Sequence, residues 1–407
     1  MLGSGSLKEA VSQFEKKFKA KSGLSWTARG ENPKPGKYAY IERNYNPDSE
    51  SEDEDAADPS AAGDDAAARA PAKCTLERPV RELMELIFNQ QYFAQAMTDL
   101  NYDANKLPLG KLSKATINRG FQALKDLAAL LQDPGLAQTI YGQPLATAIE
   151  QLSNSYYSLI PHAFGRNRPP IIRTNDLLKK EIELLESLGD MKEAAALMKS
   201  NLKDDGGIHP LDRQFQGLGM DEMEPVDRGS AEFTELFEYL NNSKGSTHNH
   251  QYRVQDIFRI QRHGELDRFE QSQFSKVASN RRLLWHGSRV TNFGGILGQG
   301  LRIAPPEAPV SGYMFGKGIY LADMSSKSAN YCCSHSSGGT ALLLLCEAEL
   351  GTPMQELLYA SYNAGEDAKA KGMYSTWGKG SIGPSKWKDA KCVHPSLAGV
   401  MMVSRGS

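Results

Sequence analysis

Leu283-Leu-Trp-His-Gly-Ser-Arg-Val-Thr-Asn-Phe-Gly-Gly-Ile-Leu297, then Gly312-Tyr-Met-Phe-Gly-Lys-Gly-Ile-Tyr-Leu-Ala-Asp323 and Ser325-Ser-Lys-Ser-Ala-Asn-Tyr331, is the stretch on which the reading turns. Leu283 to Trp285 reads as a buried strand that runs directly into His286-Gly287-Ser288. Asn292 to Leu297 reads as a short helix, and Ser325 to Tyr331 as the first turns of another. Two motifs are excluded. Gly312 and Gly316 have the wrong spacing to Lys317 for a phosphate-cradling loop, and Gly316 and Gly318 run into Ile319-Tyr-Leu321 instead of a dinucleotide-binding helix. A strand that delivers His-Gly-Ser offers close backbone approach, because glycine has no Cβ. A backbone N–H and C=O there could grip a carboxamide, with a serine hydroxyl as a third contact. Tyrosines could sandwich a flat cationic ring. Taken alone, the same residues more readily describe a histidine and tyrosines packing a β-sheet core.

Outward from this stretch the texture is uneven. Residues 206–407 carry short apolar runs (Arg253 to Ile260, Arg282 to Trp285, Gly318 to Ala322, Ala341 to Leu350) among glycines and turns, as expected of mainly antiparallel β-structure with a few short helices. Residues 76–205 switch to helical periodicity. Val80, Leu83, Met84, Ile87 and Phe88 form an apolar stripe. Ser113 is placed to cap a helix through Leu131, Leu145 to Leu159 gives another, and Thr174 is placed to cap Leu177 to Leu188. Gly189 suits a left-handed helix end, and Asp190 with Glu193 reads as a capping box that opens a separate helix. The expectation is an all-α bundle.

Residues 1–45 read as a helix from Leu7 to Phe18 and a strand-like Gly36-Lys-Tyr-Ala-Tyr-Ile-Glu42 with Tyr38 and Tyr40 on one face. They hold nine Lys or Arg against four Asp or Glu, a net of +5, and Glu50, Glu52, Asp53, Glu54 and Asp55 follow in an acidic run. A basic module beside an acidic tether at 46–75 suggests a polyanionic partner or two solvated patches. The tether has too few large apolar side chains to order itself.

With 407 residues the chain is long for one core, and 40% hydrophobic with 24% charged residues is the balance of a soluble globular protein. No apolar run approaches the roughly 18 to 20 residues that span a bilayer, and no secretory signal is read at the N-terminus. Five cysteines without a C-x-x-C pair fit a reducing compartment. His248 and His250 are read as a polar turn, His162 as structural, His209 and His263 as surface or turn residues. No metal site is expected.

Residues 283–331 resemble, almost without a break, the catalytic signature of the poly(ADP-ribose) polymerases, and within that family the nuclear, DNA-dependent branch. Residues 76–205, with Pro108-Leu-Gly-Lys-Leu-Ser113 and Ile160-Pro-His-Ala-Phe-Gly165, resemble the family's helical regulatory domain. Phe14-Glu-Lys-Lys-Phe18 and Pro35-Gly-Lys-Tyr38 resemble the C-terminal part of its WGR module, although the Trp-Gly-Arg tripeptide is missing. The resemblance implies a multidomain chain: a partial WGR module at 1–45, a linker at 46–75, a regulatory bundle at 76–205, and at 206–407 an α+β ADP-ribosyltransferase domain with split antiparallel sheets.

It also implies an enzyme with NAD⁺ as substrate and no metal. Gly287 would hold the nicotinamide carboxamide through its backbone, helped by Ser288 or Ser328. Tyr331 and Tyr320 would stack on the two faces of the ring. His286 would bond the adenosine ribose, Gly295, Arg302 and Tyr313 would line the adenosine side, and Lys327 would sit beside the reacting centre. Damaged DNA, protein acceptors including the chain itself, a nuclear location and no membrane complete the expectation. The family's further glutamate, on a late strand, lies beyond the position that matches Val400-Met-Met402, where this sequence has Ser404-Arg-Gly-Ser407. The catalytic domain is therefore expected to be incomplete at its C-terminus. A mono-ADP-ribosyltransferase and an inactive NAD⁺-binding or DNA-damage scaffold stand as the alternatives to polymer synthesis.

Overall fold

The computed structural model describes residues 6–31, 34, 36–42, 72–199, 207–245, 251–380 and 383–404. Most of the acidic tether, His248 and His250, and residues 405–407 lie outside the described residues. In chain order the helices and strands are α1 (Leu7–Ser22), α2 (Arg78–Ile87), α3 (Gln90–Asp99), α4 (Lys114–Gln132), α5 (Leu136–Thr139), α6 (Leu145–Leu159), α7 (Asn175–Lys199), α8 (Pro210–Gly217), β1 (Met220–Pro225), α9 (Ala231–Asn242), β2 (Phe258–Arg262), α10 (Glu265–Gln271), β3 (Arg281–Ser288), α11 (Phe293–Gln299), α12 (Ser325–Ala329), β4 (Leu342–Glu349), β5 (Gln355–Leu357), α13 (Ala364–Ala370), β6 (Thr376–Gly378), β7 (Trp387–Asp389) and β8 (Met401–Val403). They form two compact units. One comprises Met1–Glu50, Leu100–Glu186 and Pro305–Gly312; the other comprises Ser51–Asp99, Ser187–Ala304 and Tyr313–Ser407.

The first unit is helical. Ser113 caps α4 through its side-chain oxygen, which accepts from Thr116 N at 3.0 Å, and Thr174 does the same for Leu177 N at 3.3 Å. Gly120 lets α4 come close to its neighbours, since a Cβ there would lie 3.1 Å from Ile160 and 3.2 Å from Leu185. His162 is structural as expected: it is buried, Nδ1 meets the Ile160 carbonyl at 2.8 Å, and Nε2 meets Glu181 at 2.9 Å.

The N-terminal segment departs from expectation. Residues 36–42 form no strand, and Tyr38 and Tyr40 do not share a face. Tyr40 joins Phe14, Phe18 and Trp26 in an aromatic cluster around the indole, while Tyr38 is exposed. The physical reason is the Trp26 ring, which gives α1 an apolar partner without a sheet. The segment is then tied down by its own carbonyls: Tyr40 O accepts from Arg119 Nη1 at 2.7 Å and Glu42 O from Thr116 Oγ1 at 3.2 Å.

A second departure concerns α7. Gly189 does not end a helix and Asp190 does not cap one; α7 runs unbroken through both. Gly189 has no left-handed φ. Leu184, Leu185, Leu188, Met191 and Ala194 continue one buried stripe across the glycine. That burial outweighs the roughly 1 kcal/mol an interior glycine costs.

The second unit holds the sheets. A four-stranded sheet has the order β4-β3-β8-β7, and β1-β2 and β5-β6 form two smaller ones. Split sheets with mainly antiparallel pairing are as expected; two parallel pairings are not. β3 pairs antiparallel with β4 from Arg281↔Glu349 to Ser288↔Leu342, but β3 with β8 and β5 with β6 are parallel. The chain between each parallel pair is long enough for a crossover connection, which short-range patterning does not reveal. Gly318 to Ala322 yields one bridge, Trp285↔Ala322, in place of a strand. The core beneath β3 is built from Tyr239, Leu283, Trp285, Ala390, Val393, Val400, Met402 and Val403.

Candidate active site

Backbone alternation in β3 places the central feature of the site. The N–H and C=O of Trp285 bond Ala322, at 2.7 and 2.8 Å, on the edge that faces away from β4. Two residues earlier, the Leu283 carbonyl on that same edge accepts from the Tyr239 hydroxyl at 2.6 Å. Two residues later, alternation sends the N–H and C=O of Gly287 toward the same edge, past the end of the Ala322 bridge. A donor and an acceptor thus lie side by side at a strand end, the pattern that a carboxamide complements.

Only glycine fits here. A Cβ at 287 would lie 1.9 Å from the Ser328 carbonyl oxygen and 3.1 Å from Cys332 Sγ. α12 therefore rests its backbone directly on Gly287. Ser328 is buried, and its hydroxyl donates to the Trp285 carbonyl at 2.9 Å. With its hydrogen engaged, it presents a ligand with acceptor lone pairs. Ser288 turns toward α11, where its oxygen accepts from Asn292 Nδ2 at 3.0 Å.

His286 is half-buried, and its Nδ1 lies 3.0 Å from the Tyr320 carbonyl. A carbonyl only accepts, so the neutral ring carries its hydrogen on Nδ1 and leaves Nε2 as an acceptor for a hydroxyl. The Tyr320 hydroxyl braces the turn before it, donating to Gly316 O at 2.7 Å and accepting from Phe315 N at 3.0 Å. The Tyr313 and Tyr320 rings are 6.3 Å apart and tilted by 30°. Tyr331 stands 64% exposed in the middle of a short 3₁₀ turn, Asn330–Cys332, so its ring is accessible to a ligand. Lys327 is exposed on α12, next to Ser328. Asp323 is pushed up by burial, against the pull of Lys327 and Arg282.

Asp190 belongs to this group. Its Oδ1 accepts from Arg302 Nη2 at 2.7 Å. Burial raises its carboxyl above the ordinary value, against the Arg302 hydrogen bond and charge and a smaller pull from His286. Gly295 on α11 is buried against the same residue: a Cβ there would meet Asp190 O at 2.8 Å and Cα at 2.9 Å. Asn292 was read in the sequence only as a helix start; its place immediately before Phe293-Gly-Gly295, the first residues of α11, was the available signal.

Comparisons with known proteins fit this arrangement. Residues 230–401 match the family model for the poly(ADP-ribose) polymerase catalytic domain, and residues 74–215 match that for the poly(ADP-ribose) polymerase regulatory domain. The chain is 40% identical over 382 residues to poly [ADP-ribose] polymerase 2 of Arabidopsis thaliana, covering 92% of this chain and 56% of that protein. It is 40% identical over 386 residues to poly [ADP-ribose] polymerase 2 of Homo sapiens, covering 94% and 62%. It is 37% identical over 381 residues to poly [ADP-ribose] polymerase 1 of Gallus gallus, covering 93% and 35%.

The chain carries the catalytic and regulatory domains of the poly(ADP-ribose) polymerases.

It spans little more than half the length of the first two of these relatives. Within the family's regulatory match lie α2 to α7 and Asp190; within its catalytic match lie β3, α11, α12 and the other residues of the site. No helix among the described residues is long and apolar enough to cross a membrane.

Proposed function

We propose that this chain is an NAD⁺ ADP-ribosyltransferase that builds poly(ADP-ribose) on protein acceptors, itself included, in answer to DNA breaks in the nucleus. The observation that carries the reading is the Gly287 backbone pair at the open end of β3, seated under the Ser328 carbonyl where no Cβ fits. Gly287 holds the nicotinamide carboxamide by N–H and C=O. Tyr331 and Tyr320 flank the ring, and Ser288 or Ser328 adds a third polar contact. His286 accepts a ribose hydroxyl at Nε2. Gly295, Arg302 and Tyr313 form the adenosine side, with Asp190 fixing the guanidinium.

In the reaction the bond between the ribose anomeric carbon and nicotinamide breaks, and nicotinamide leaves neutral with the bonding pair. The anomeric carbon, positive in character, forms a new bond to an acceptor oxygen whose proton passes to solvent. The protein's contribution is orientation and charge stabilisation, with Lys327 beside the reacting centre. The basic N-terminal module, whose α1 carries Lys16, Lys17, Lys19 and Lys21, would be part of a WGR module that meets DNA phosphates.

Incubation with adenylate-labelled NAD⁺, with and without nicked DNA, tests the reading. Labelled protein that lengthens to polymer and increases with nicked DNA supports it. Label confined to single ADP-ribose units points to a mono-transferase. Binding of NAD⁺ by folded protein without any label transfer overturns it in favour of a scaffold.

A further inference from the structure

Far from β3 in sequence, the second unit brings together three side chains of different donor chemistry. Cys74 lies on the segment that leads into α2, and His209 and Asp212 lie at the start of α8. The Cys74 sulfur, a ring nitrogen of His209 and a carboxylate oxygen of Asp212 all fall within 4.8 Å of one another. We propose that Cys74, His209 and Asp212 form a binding site for one divalent metal ion of the zinc type, with water at the open position.

The donor set selects the ion. One sulfur, one nitrogen and one oxygen suit a borderline d¹⁰ cation, whereas calcium and magnesium take oxygen donors. A thiolate and a carboxylate together balance the double positive charge. Cys74 and His209 are half-buried and Asp212 is 5% exposed, so the ligands are held by protein on one side and open to solvent on the other.

The arrangement is preset in three respects. Cys74 Sγ already lies 3.1 Å from Asp212 Oδ1, where its hydrogen bonds the carboxylate. Metal binding replaces that hydrogen: the S–H proton leaves to solvent, and sulfur and oxygen then share the ion. His209 Nδ1 accepts from Leu211 N at 3.2 Å, which places the ring hydrogen on Nε2 and the lone pair on the side facing the start of α8. The ion takes over that lone pair and displaces the Leu211 N–H, which turns to water. Asp212 is oriented by groups that stay in place: Thr75 N at 2.9 Å and Thr75 Oγ1 at 2.9 Å, both to Oδ2. Such outer hydrogen bonds are what fix a ligating carboxylate in a built metal site.

The consequence concerns the regulatory segment. Cys74 is the first residue of the 74–215 match, and His209 and Asp212 lie near its last. An ion on all three would clip the two ends of that segment together, closing a long loop. None of the three belongs to the NAD⁺ site, so the metal is independent of the transferase reading.

Metal-free, reduced full-length chain titrated with Co²⁺ tests the site directly. Expected is one ion per chain, with the thiolate-to-cobalt charge-transfer band and the intense d–d bands of a four-coordinate centre. Zn²⁺ should then displace the cobalt and raise the thermal unfolding midpoint. Cys74→Ser should abolish the charge-transfer band. His209→Gln should weaken the affinity by at least the about 10–100-fold that outer-shell changes cost. Asp212→Ala is not the deciding variant, because it also frees Thr75. A charge-transfer band that persists in Cys74→Ser, or a wild-type chain without one, overturns the proposal.

Discussion

Arg302 donates to Asp190 at 2.7 Å across 112 residues of sequence. The pair fixes a guanidinium that the proposed function puts on the adenosine side of NAD⁺. Asp190→Asn leaves the helix intact, because Asp190 is interior to α7 and caps nothing. It weakens the hold on a side chain that is 43% exposed, a contact worth about 1 kcal/mol. Initial-rate measurements should therefore show KM for NAD⁺ raised about fivefold with kcat little changed; a fall in kcat at constant KM would contradict that role.

The glycine one residue before it makes an opposite case. A Cβ at Gly189 meets nothing within 4 Å, and the residue is helical. Gly189→Ala should stabilise the chain by about 0.5–1 kcal/mol, since only backbone freedom in the unfolded state changes. Urea unfolding of the two proteins checks this, and a lower midpoint for the alanine variant would show that α7 is interrupted there.

Tyr320 joins its turn through two hydrogen bonds, to Gly316 O and from Phe315 N. Tyr320→Phe keeps the ring and removes both. At about 0.5–1 kcal/mol net for each bond, KM for NAD⁺ should rise between about fivefold and thirtyfold. Restored wild-type KM in the phenylalanine variant would mean that the hydroxyl does not shape the site.

Asp212 sets an acid limit on stability. Burial pushes its carboxyl up, but hydrogen bonds from Cys74, the N–H and hydroxyl of Thr75, and Leu76 outweigh it and hold the group below the ordinary 3.8. The sign follows: a depressed carboxyl stabilises the fold above 3.8, and that contribution is lost as pH falls through the folded value. In metal-free protein, Asp212→Asn should flatten the pH dependence of stability on the acid side of neutrality. An unchanged acid limb would assign it to other carboxylates.

Helix starts and the strand that delivers His286-Gly287-Ser288 were legible because they rest on local chemistry: a serine or threonine cap, an apolar run, a glycine. Ser113, Thr174 and β3 are of this kind. What escaped depends on partners distant in sequence. Gly189-Asp190 has the local form of a helix end and a new cap, yet a buried stripe through Leu188 and Met191 carries α7 across it. Tyr38 and Tyr40 alternate as a strand would, but Trp26 gathers one and leaves the other in solvent. Cys74 and Asp212 meet over 138 residues, a distance at which no spacing rule operates. Parallel pairing of β3 with β8 was hidden for the same reason.

Nicotinamide release from NAD⁺, compared between the native chain and Gly287→Ala under conditions where both are folded, bears most directly on the proposed site. A methyl at 287 would collide with the Ser328 carbonyl at 1.9 Å and push α12 from the strand. A displacement of that order costs about 100-fold in rate. Release by the native chain and a loss of at least about that size in the variant is the expected result. Equal release by both proteins would contradict the placement of nicotinamide at Gly287.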